Sequence, residues 1–480
     1  MKPCRPLIIP TTYDPWMTYC WSDKIGKSGF TAAPVSAFKH SPWAPGPDSL
    51  SRNVKVEVPN MDYIIERAPF LASSCYWIAT MVRVEGYKVL LRYEGFGDSS
   101  HDFWINIYTA DVHPVAWCAK TGNILQPPKA LHPLAYDWKR RLRKLIEGSH
   151  SFPDNFQEIV REHCKPVDVA VRLETIDYRC SANAVVPVTV RSSVASRVNV
   201  IEWEGSGSSF VESTSQRCFQ MNCNIKSPFL FPVGWAVYFE YPIRCSESYL
   251  EAVAQKCGPD FYFTEDDEKL LSPQIELVRR SQSDNKDGYL SCFLSGMKIE
   301  AIDPLLPTAV QVGTIVKTLR DDYYIVRFDG TDKERCYHVD SAFVLPPGFC
   351  QAAGIDLCPP PGFENNFTWH DYLTATDSLA ASHTIFRLEP YDREFKVGQS
   401  LEATDVVRGG QVYPGTIVQM CGRLLKIHFD GYPEDATHWF DFESPDIYPV
   451  GWCEMVGVQL CAPGDWPYDK SASLQWQNAM

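Results

Sequence analysis

The chain has 480 residues, of which 45% are hydrophobic and 22% are charged, and its formal net charge is −14. A typical domain has about 100 to 150 residues, so we expect three or four separate cores. No segment approaches the roughly 18 continuous apolar residues of a membrane helix, which excludes a membrane partner. The acidic balance disfavours the phosphate neutralisation that dominates nucleic-acid binding, so a basic partner is favoured and direct nucleic-acid binding is at most secondary.

The N-terminus and the cysteines indicate an intracellular protein. The first residues, MKPCRPLIIPTTYDPW, hold a short apolar run that prolines interrupt, without the cleavage site of a secretory signal. The 17 cysteines are scattered and none forms a C-x-x-C pair, which fits neither a zinc ribbon nor a disulfide framework. We therefore expect reduced, mostly buried thiols, and neither a metal nor a cofactor.

Two motifs recur along the chain and divide it into four repeats. The first motif, which we call the head, reads VKVEV at 54–58, VRLETID at 171–177, MKIEAID at 297–303 and QSLEATD at 399–405. The second, the tail, reads DVHPVAWC at 111–118, SPFLFPVGW at 227–235, SAFVLPPGFC at 341–350 and SPDIYPVGWC at 444–453. We expect the closing tryptophans of the tails to fill the cores, since large aromatic residues at fixed positions usually do so.

Between head and tail lie alternating runs such as YKVLLRYEG at 87–95 and LLKIHFDG at 424–431. Their period of two predicts β-strands that end in turns, so each core is a small β-barrel. Helix-like segments at 137–148 and 367–386 precede heads and are predicted to be arms or connectors. The fold class is mainly β, with four barrels and helical or extended arms.

We place the repeats at 12–130, 131–250, 251–362 and 363–464. The second repeat is the irregular one, because the polar stretch EGSGSSFVESTSQ at 204–216 stands where the others have a tight acidic loop.

These motifs resemble those of the malignant-brain-tumour (MBT) repeat family. The segment FESPDIYPVGWCE at 442–454 is highly specific to that family, and the four repeats resemble its four-repeat nuclear branch. The resemblance implies a Tudor-like (SH3-like) barrel for each repeat, with the arms packed into one compact body. It also implies binding of methylated lysine on histone tails by a nuclear repressor protein.

Methyl-lysine binding requires aromatic rings, because a methylated ammonium keeps its charge and loses hydration; each ring contact contributes about 0.5 to 2 kcal/mol. A carboxylate adds a hydrogen bond only while a proton remains on the nitrogen, which favours low methylation states. By the resemblance, the fourth repeat supplies Asp405, Phe429 and Tyr432. Ala436 stands at the third aromatic position, and Arg408 replaces the usual asparagine.

The other repeats match this pattern less well. The weaker candidates are Tyr93, Phe96 and Asn60 in the first repeat and Asp177 and Trp203 in the second. In the third repeat, Asp303 and Phe328 are present, but Thr331 replaces the second aromatic residue, so no binding is expected there.

Two further interpretations stay open at this point. Phe429 and Tyr432 also fit ordinary strand-end packing, and Asp405 also fits a turn cap, as short acids at strand ends often do.

The predicted function is that of a chromatin-associated reader of methylated lysine on histone tails, with histone H3 favoured. It would act in transcriptional repression in the nucleus, with methylated histone tails and other repressor-complex proteins as partners. The alternative is a repressor-complex scaffold whose methyl-lysine pockets are vestigial. An enzyme is not expected, because the chain contains no nucleophile elbow, phosphate loop or cofactor fingerprint.

Overall fold

The computed structural model describes residues 18–42, 54–64, 75–131, 137–169, 171–177, 184–202, 219–256, 293–319, 323–386 and 394–465. Within these ranges every helix is too short or too polar to span a bilayer. The cysteines in the same ranges are free thiols, half of them buried.

Each repeat is built on one sheet, and the strands follow the same order in all four. The first sheet contains β1 (Lys55–Pro59), β2 (Cys75–Glu85), β3 (Lys88–Tyr93), β4 (Phe103–Asn106), β5 (His113–Pro114) and β6 (Ile124–Leu125). The second contains β7 (Arg172–Ile176), β8 (Val185–Val194), β9 (Arg197–Glu202), β10 (Gln220–Asn224) and β11 (Leu230–Pro232). The third contains β12 (Lys298–Asp303), β13 (Leu306–Thr318), β14 (Tyr323–Phe328), β15 (Glu334–His338), β16 (Val344–Leu345) and β17 (Leu357–Cys358). The fourth contains β18 (Ser400–Asp405), β19 (Gln411–Cys421), β20 (Leu424–Phe429), β21 (Thr437–Asp441) and β22 (Ile447–Tyr448).

The first four strands of each sheet form an antiparallel meander, and the short fifth strand returns to the outer edge of the first. Each long second strand carries a β-bulge, and the bulges lie between Met81 and Arg83, Val190 and Ser192, Ile315 and Lys317, and Ile417 and Gln419. Because a bulge bends a strand and increases its twist, the four sheets curl around their buried side chains. The predicted mainly β fold is confirmed. Each sheet lies inside one predicted repeat, and the repeat boundaries stay predictions.

A buried glutamate in each head strand connects the head to the tail. The glutamates are Glu57, Glu174, Glu300 and Glu402, and each is almost fully buried. Each carboxylate accepts two backbone N–H groups at the start of the tail helix, from Ala116 and Cys118, Gly234 and Ala236, Gly348 and Cys350, and Gly451 and Cys453, at 2.6 to 2.8 Å. A carboxylate is favoured at a helix N-terminus, where amide donors lack partners. The head and tail motifs therefore recur together.

The helices are short and lie outside the sheets. They are α1 (Met61–Ile64), α2 (Trp117–Thr121), α3 (Trp138–Ile146), α4 (Phe156–His163), α5 (Trp235–Tyr238), α6 (Glu247–Lys256), α7 (Phe349–Ala353), α8 (Trp369–Thr376) and α9 (Trp452–Val456). The helix-like segment at 137–148 is confirmed by α3. The segment at 367–386 forms α8 and, after a break, a short 3-10 helix at His383–Ile385, because Asp377 adopts a left-handed conformation and Ala380 then forms an isolated β-bridge with Lys298.

The arm before each head packs on the sheet of the preceding repeat. Arm residues donate to head glutamates, from Tyr249 to Glu174 and from Trp369 to Glu300, at 2.8 and 2.9 Å. Tyr249 lies on α6, which spans the predicted boundary between the second and third repeats. The arm of the first repeat, 18–42, packs instead on the fourth sheet.

There Trp21 Nε1 donates to Glu402 at 2.8 Å, and Ala32 pairs with Ser400. The arms therefore close a ring, in which every sheet is covered by the arm of the next repeat.

The fourth repeat touches each of the other three. The contacts run from Asn106 Nδ2 to the Gly451 carbonyl at 2.8 Å, from Asn224 Nδ2 to the Pro445 carbonyl at 3.0 Å, and from Arg423 Nη1 to the Asp340 carbonyl at 3.0 Å. One hydrophobic cluster also joins Trp77 of the first sheet to Val450 and Trp452. The strongest predicted pocket thus lies in a repeat held from several sides.

Candidate functional site

The three residues predicted for the fourth repeat lie near one end of its sheet. Asp405 is the last residue of β18, Phe429 is the last of β20, and Tyr432 lies in the turn that follows. Asp405 and Phe429 are 2% and 1% exposed, whereas Tyr432 is partly exposed. His438 connects the first two, since its Nε2 lies 3.8 Å from Asp405 Oδ1 and its ring centroid lies 4.9 Å from that of Phe429. We call this group the fourth pocket.

The two carboxylate oxygens of Asp405 face different partners. Oδ1 accepts hydrogen bonds from the backbone N–H groups of Val407 and Arg408, both at 3.0 Å. Oδ2 lies 3.5 Å from Nη1 of the Arg408 guanidinium. Oδ1 therefore caps the turn, as one interpretation of Asp405 expected, whereas Oδ2 is the oxygen that faces a cation.

The same guanidinium lies on the aromatic wall of the pocket. The Arg408 Cζ atom is 3.9 Å from the centroid of the Tyr432 ring, well inside the range of a cation–π contact. The Arg408 side chain is 38% exposed, so it reaches into the pocket from the solvent side. The position that departs from the family pattern thus supplies a positive charge between Asp405 and Tyr432.

A second tyrosine, Tyr413, adds an aromatic wall that the sequence analysis missed. Its ring lies edge-on to those of Phe429 and Tyr432, with centroid distances of 6.0 and 5.6 Å. Tyr413 is two residues before Gly415, which pairs with Phe429, so the alternation along β19 was an available signal. Ala436, at the position of the third aromatic residue, accepts the Phe429 backbone N–H at 3.1 Å.

His438 is neutral near pH 7 because of its burial. Desolvation lowers the pKa of His438 to about 4, and the positive charge of Arg408 acts in the same direction, against the attraction of Asp405. The imidazole therefore leaves the charge of the Asp405 carboxylate in place. No short-range pattern in the sequence shows that His438 faces Asp405.

The turn that carries Tyr432 is supported by distant parts of the chain. Asp430 accepts hydrogen bonds from Thr416 Oγ1 at 2.8 Å and from Lys24 Nζ, in the first arm, at 2.6 Å. Gly464 lies against the ring, since a Cβ atom at that position would come within 2.9 Å of the Tyr432 Cγ atom. The aromatic wall is therefore positioned from both ends of the described chain.

In the first repeat, the three candidates are engaged in internal contacts. The Tyr93 hydroxyl donates to a backbone carbonyl oxygen 2.7 Å away, and the Tyr93 side chain is buried. Asn60 is fully buried, and its amide donates to another backbone carbonyl oxygen at 2.8 Å. Phe96 is stacked on His101, with a centroid distance of 4.0 Å. The structure brings Tyr93 and Asn60 to the same end of the sheet, where both are hydrogen-bonded within the fold.

In the second repeat, Asp177 is buried and pairs with the guanidinium of Arg244. Trp203 lies outside the described residues. In the second sheet, Glu202 pairs with Val188. This pair is equivalent to Phe429 and Gly415 in the fourth sheet, so Glu202 occupies the position of Phe429.

In the third repeat, Asp303 is paired with Arg335. The guanidinium donates from Nε and Nη2 to the two carboxylate oxygens, at 3.0 and 3.2 Å, and both side chains are nearly buried. Phe328 is buried in the core, and Thr331 is exposed. An internal cation therefore fills the space beside the aspartate.

Four matches to one family model fall on the four sheets. The model of the mbt repeat matches residues 64–132, 171–249, 297–364 and 399–467. The chain belongs to the mbt repeat family. The predicted resemblance is thereby confirmed for all four repeats, including the divergent second and third.

Two relatives with known names are similar to most of this chain. MBT domain-containing protein 1 of Homo sapiens is 35% identical over 453 residues, which cover 93% of this chain and 67% of that protein. The Polycomb protein Sfmbt of Drosophila melanogaster is 34% identical over 464 residues, which cover 94% of this chain. The chain corresponds to 37% of the length of that relative.

A solved structure shares the arrangement of the mbt repeats. The crystal structure of the four MBT repeats of Drosophila melanogaster Sfmbt, in complex with the methyl-lysine peptide RHR(me)KVLR, matches with a TM-score of 0.82 and 32% identity. The match covers 94% of this chain and 100% of the Sfmbt chain. The four sheets of the present chain therefore have the fold and mutual arrangement of known mbt repeats.

Proposed function

We propose that this chain reads methylated lysine on histone tails, with the fourth repeat as the binding repeat. A cation already occupies the fourth pocket, because the Arg408 guanidinium lies over Tyr432 and beside Asp405. That arrangement supports the proposal, since a pocket that accommodates one weakly hydrated cation suits another. A methylated ammonium is such a cation, and aromatic rings attract it in the same way.

The carboxylate gives the pocket a preference among methylation states. Asp405 Oδ2 can accept a charge-assisted hydrogen bond from mono- or dimethyl-lysine, which retain N–H groups, whereas trimethyl-lysine has none. Burial of Asp405 strengthens that bond, because little water competes for the oxygen. We therefore propose that the lower methylation states bind more tightly.

The biological setting is proposed from the relatives. One relative is named a Polycomb protein, and the Sfmbt mbt repeats were crystallised with a methyl-lysine peptide. We propose that the present chain acts on chromatin in the nucleus, in transcriptional repression. Independently of the relatives, we retain the histone H3 tail, which the sequence analysis favoured, as the proposed ligand. Its role is non-catalytic.

A scaffold role is a second proposal for the first three repeats. Asp177 and Asp303 pair with internal arginines, and Asn60 bonds to the backbone, so these polar groups are occupied within the fold. Repeats that keep the fold while filling their pockets fit a surface for other repressor-complex proteins. The two roles are compatible in one chain.

Titration with histone H3 tail peptides tests the reader proposal. Unmodified, mono-, di- and trimethylated peptides are compared by calorimetry on the whole chain. Tyr432→Ala should weaken binding of the dimethylated peptide roughly tenfold, the scale of one cation–π contact. Asp405→Asn keeps an oxygen for the turn and removes the charge, so it should reduce the preference for low methylation.

Phe96→Ala is the matched control in the first repeat, because Phe96 follows Tyr93 by the same interval as Tyr432 follows Phe429. It should leave the affinity unchanged. If methylation does not alter the affinity of the wild-type chain or of its pocket variants, the reader proposal is wrong and the scaffold role remains.

A further inference from the structure

We propose that Arg408 is an internal occupant of the fourth pocket, which a ligand cation must displace. This inference rests on the proposed function of that pocket. The guanidinium uses both contacts that a methylated ammonium would need, the Oδ2 atom of Asp405 at 3.5 Å and the face of the Tyr432 ring at 3.9 Å. Two cations cannot share these contacts, so ligand binding and the seated form of Arg408 exclude each other.

Arg408 is held more loosely in the fourth pocket than Arg335, which lies at a different position of the fold, is held against Asp303 in the third repeat. Arg335 makes two hydrogen bonds to Asp303 and is only 10% exposed. Arg408 has one longer contact to Asp405 and is 38% exposed. A buried bidentate pair is costly to break, whereas an exposed ion pair is weak. The third pocket is therefore closed by its arginine, and the fourth is closed reversibly.

The backbone that carries Arg408 is fixed, so only its side chain has to move. The Gly410 carbonyl accepts from the guanidinium of Arg197, and the Gly409 carbonyl accepts from Asn222 Nδ2 at 3.1 Å, both in the second repeat. The Gly410 N–H in turn donates to the Asp405 carbonyl at 2.8 Å. With the loop held in this way, displacement of Arg408 is a side-chain rotation into solvent.

The expected effect on affinity follows from the two contacts that are lost. An exposed cation–π contact and an exposed ion pair together reduce the apparent affinity by roughly 3- to 30-fold. An internal competitor lowers the affinity of every ligand of that pocket by the same factor, because it reduces the fraction of molecules in which the pocket is open. Removal of Arg408 should therefore tighten mono- and dimethyl-lysine binding equally, without changing their ratio.

The test compares Arg408→Asn with Arg408→Lys and with the control Arg327→Asn, each in the whole chain. Arg327 is an exposed arginine on β14 that pairs with Glu334, so its replacement removes the same charge away from the fourth pocket. Mono- and dimethylated H3 peptides are titrated at two salt concentrations. Melting curves verify that each variant is folded.

We expect Arg408→Asn to bind both peptides roughly 3- to 30-fold more tightly at both salt concentrations, Arg408→Lys to bind with intermediate affinity, and Arg327→Asn to match the wild type. The Arg408 Nε–Hε NMR resonance, assigned by its loss in Arg408→Lys, should shift when peptide is added to the wild-type chain.

The outcomes separate the two proposals. If the wild type discriminates methylated from unmodified peptide and Arg408→Asn binds no more tightly, Arg408 is not a competitor and the reader function stands. A gain that vanishes at high salt or appears equally in Arg327→Asn also overturns the competitor role, since it reflects net charge. If neither the wild type nor Arg408→Asn discriminates, both proposals fail.

Discussion

Arg335 in the third repeat and His438 in the fourth occupy the same position of the fold. Arg335 pairs with Val326 and His438 with Ile427, each next to the bulge of its sheet, and each side chain lies against the aspartate that ends its own head strand. One position thus carries a fixed cation in one copy and a neutral imidazole in the other. That difference leaves the fourth pocket open to a cation from elsewhere.

The Asp303–Arg335 pair gives a first prediction. Arg335→Met should lower the free energy of unfolding by about 3 to 5 kcal/mol, because Asp303 is left buried without its counter-charge. The double variant Asp303→Asn, Arg335→Met should recover most of that loss, since no buried charge remains. Chemical denaturation followed by tryptophan fluorescence measures both. Equal losses in the single and double variants would show that packing, and not charge, stabilises this site.

The two glycines of the Arg408 loop give a matched pair of variants. Gly409 and Gly410 both have φ near +70°, but a Cβ atom at Gly410 would lie 1.8 Å from the Asn222 carbonyl oxygen, whereas one at Gly409 meets no atom within 4 Å. Gly409→Ala should cost about 1 kcal/mol from backbone strain. Gly410→Ala should cost about 1 to 3 kcal/mol more, because the loop must leave the second repeat. Similar melting temperatures for the two variants would contradict this contact.

The burial of His438 predicts a dependence of stability on acid. Since desolvation lowers its pKa from 6.5 to about 4 in the folded chain, His438 takes up a proton more readily when unfolded. Its contribution to stability is complete above pH 6.5 and is lost as the pH falls through 4, by at most about 3 kcal/mol. Phe103 occupies the position of the first repeat that corresponds to His438. The variant His438→Phe should therefore flatten this part of the plot of stability against pH. An unchanged profile would mean that His438 has the same pKa in the folded and the unfolded chain.

The bond between Glu402 and the tail predicts a stability loss that also reaches the first arm. Glu402→Gln leaves one of the donors Gly451 and Cys453 facing an amide NH₂ group, at a cost of about 1 to 3 kcal/mol. Because Trp21 shares the same carboxylate, the arm at 18–42 should become more sensitive to protease.

Glu434→Gln provides the control for this change. Glu434 is an exposed glutamate on the same repeat, and its replacement should change stability by less than about 0.5 kcal/mol. Equal protease sensitivity in the two variants would argue against the shared role of Glu402.

Much of the architecture was predictable because the head and tail are joined by one buried carboxylate. That bond requires a glutamate in the head and free amides in the tail, so both motifs recur in each copy and mark the repeats. Asp405 and Arg408 were found for the same reason, through a fixed interval after the head. Tyr413 and His438 were missed because they reach the pocket from β19 and β21, and only the pairing of these strands with β18 and β20 brings them close to Asp405 and Phe429. The helix expected over 367–386 ended early because pairing with Lys298 competes with helix formation.

The ring of arms determines how the four repeats unfold. A linear stack of repeats frays from its terminal copies, because each of those has a single neighbour. Here the contact between Trp21 and Glu402 gives the fourth sheet the same cover as the others, so the stack has no terminal copy. Melting of any one copy withdraws the arm that shields its predecessor and exposes the next core in turn. The four copies should therefore unfold in one cooperative transition. A destabilising substitution far from Asp405 in sequence can abolish the pocket, because it unfolds the whole ring of repeats.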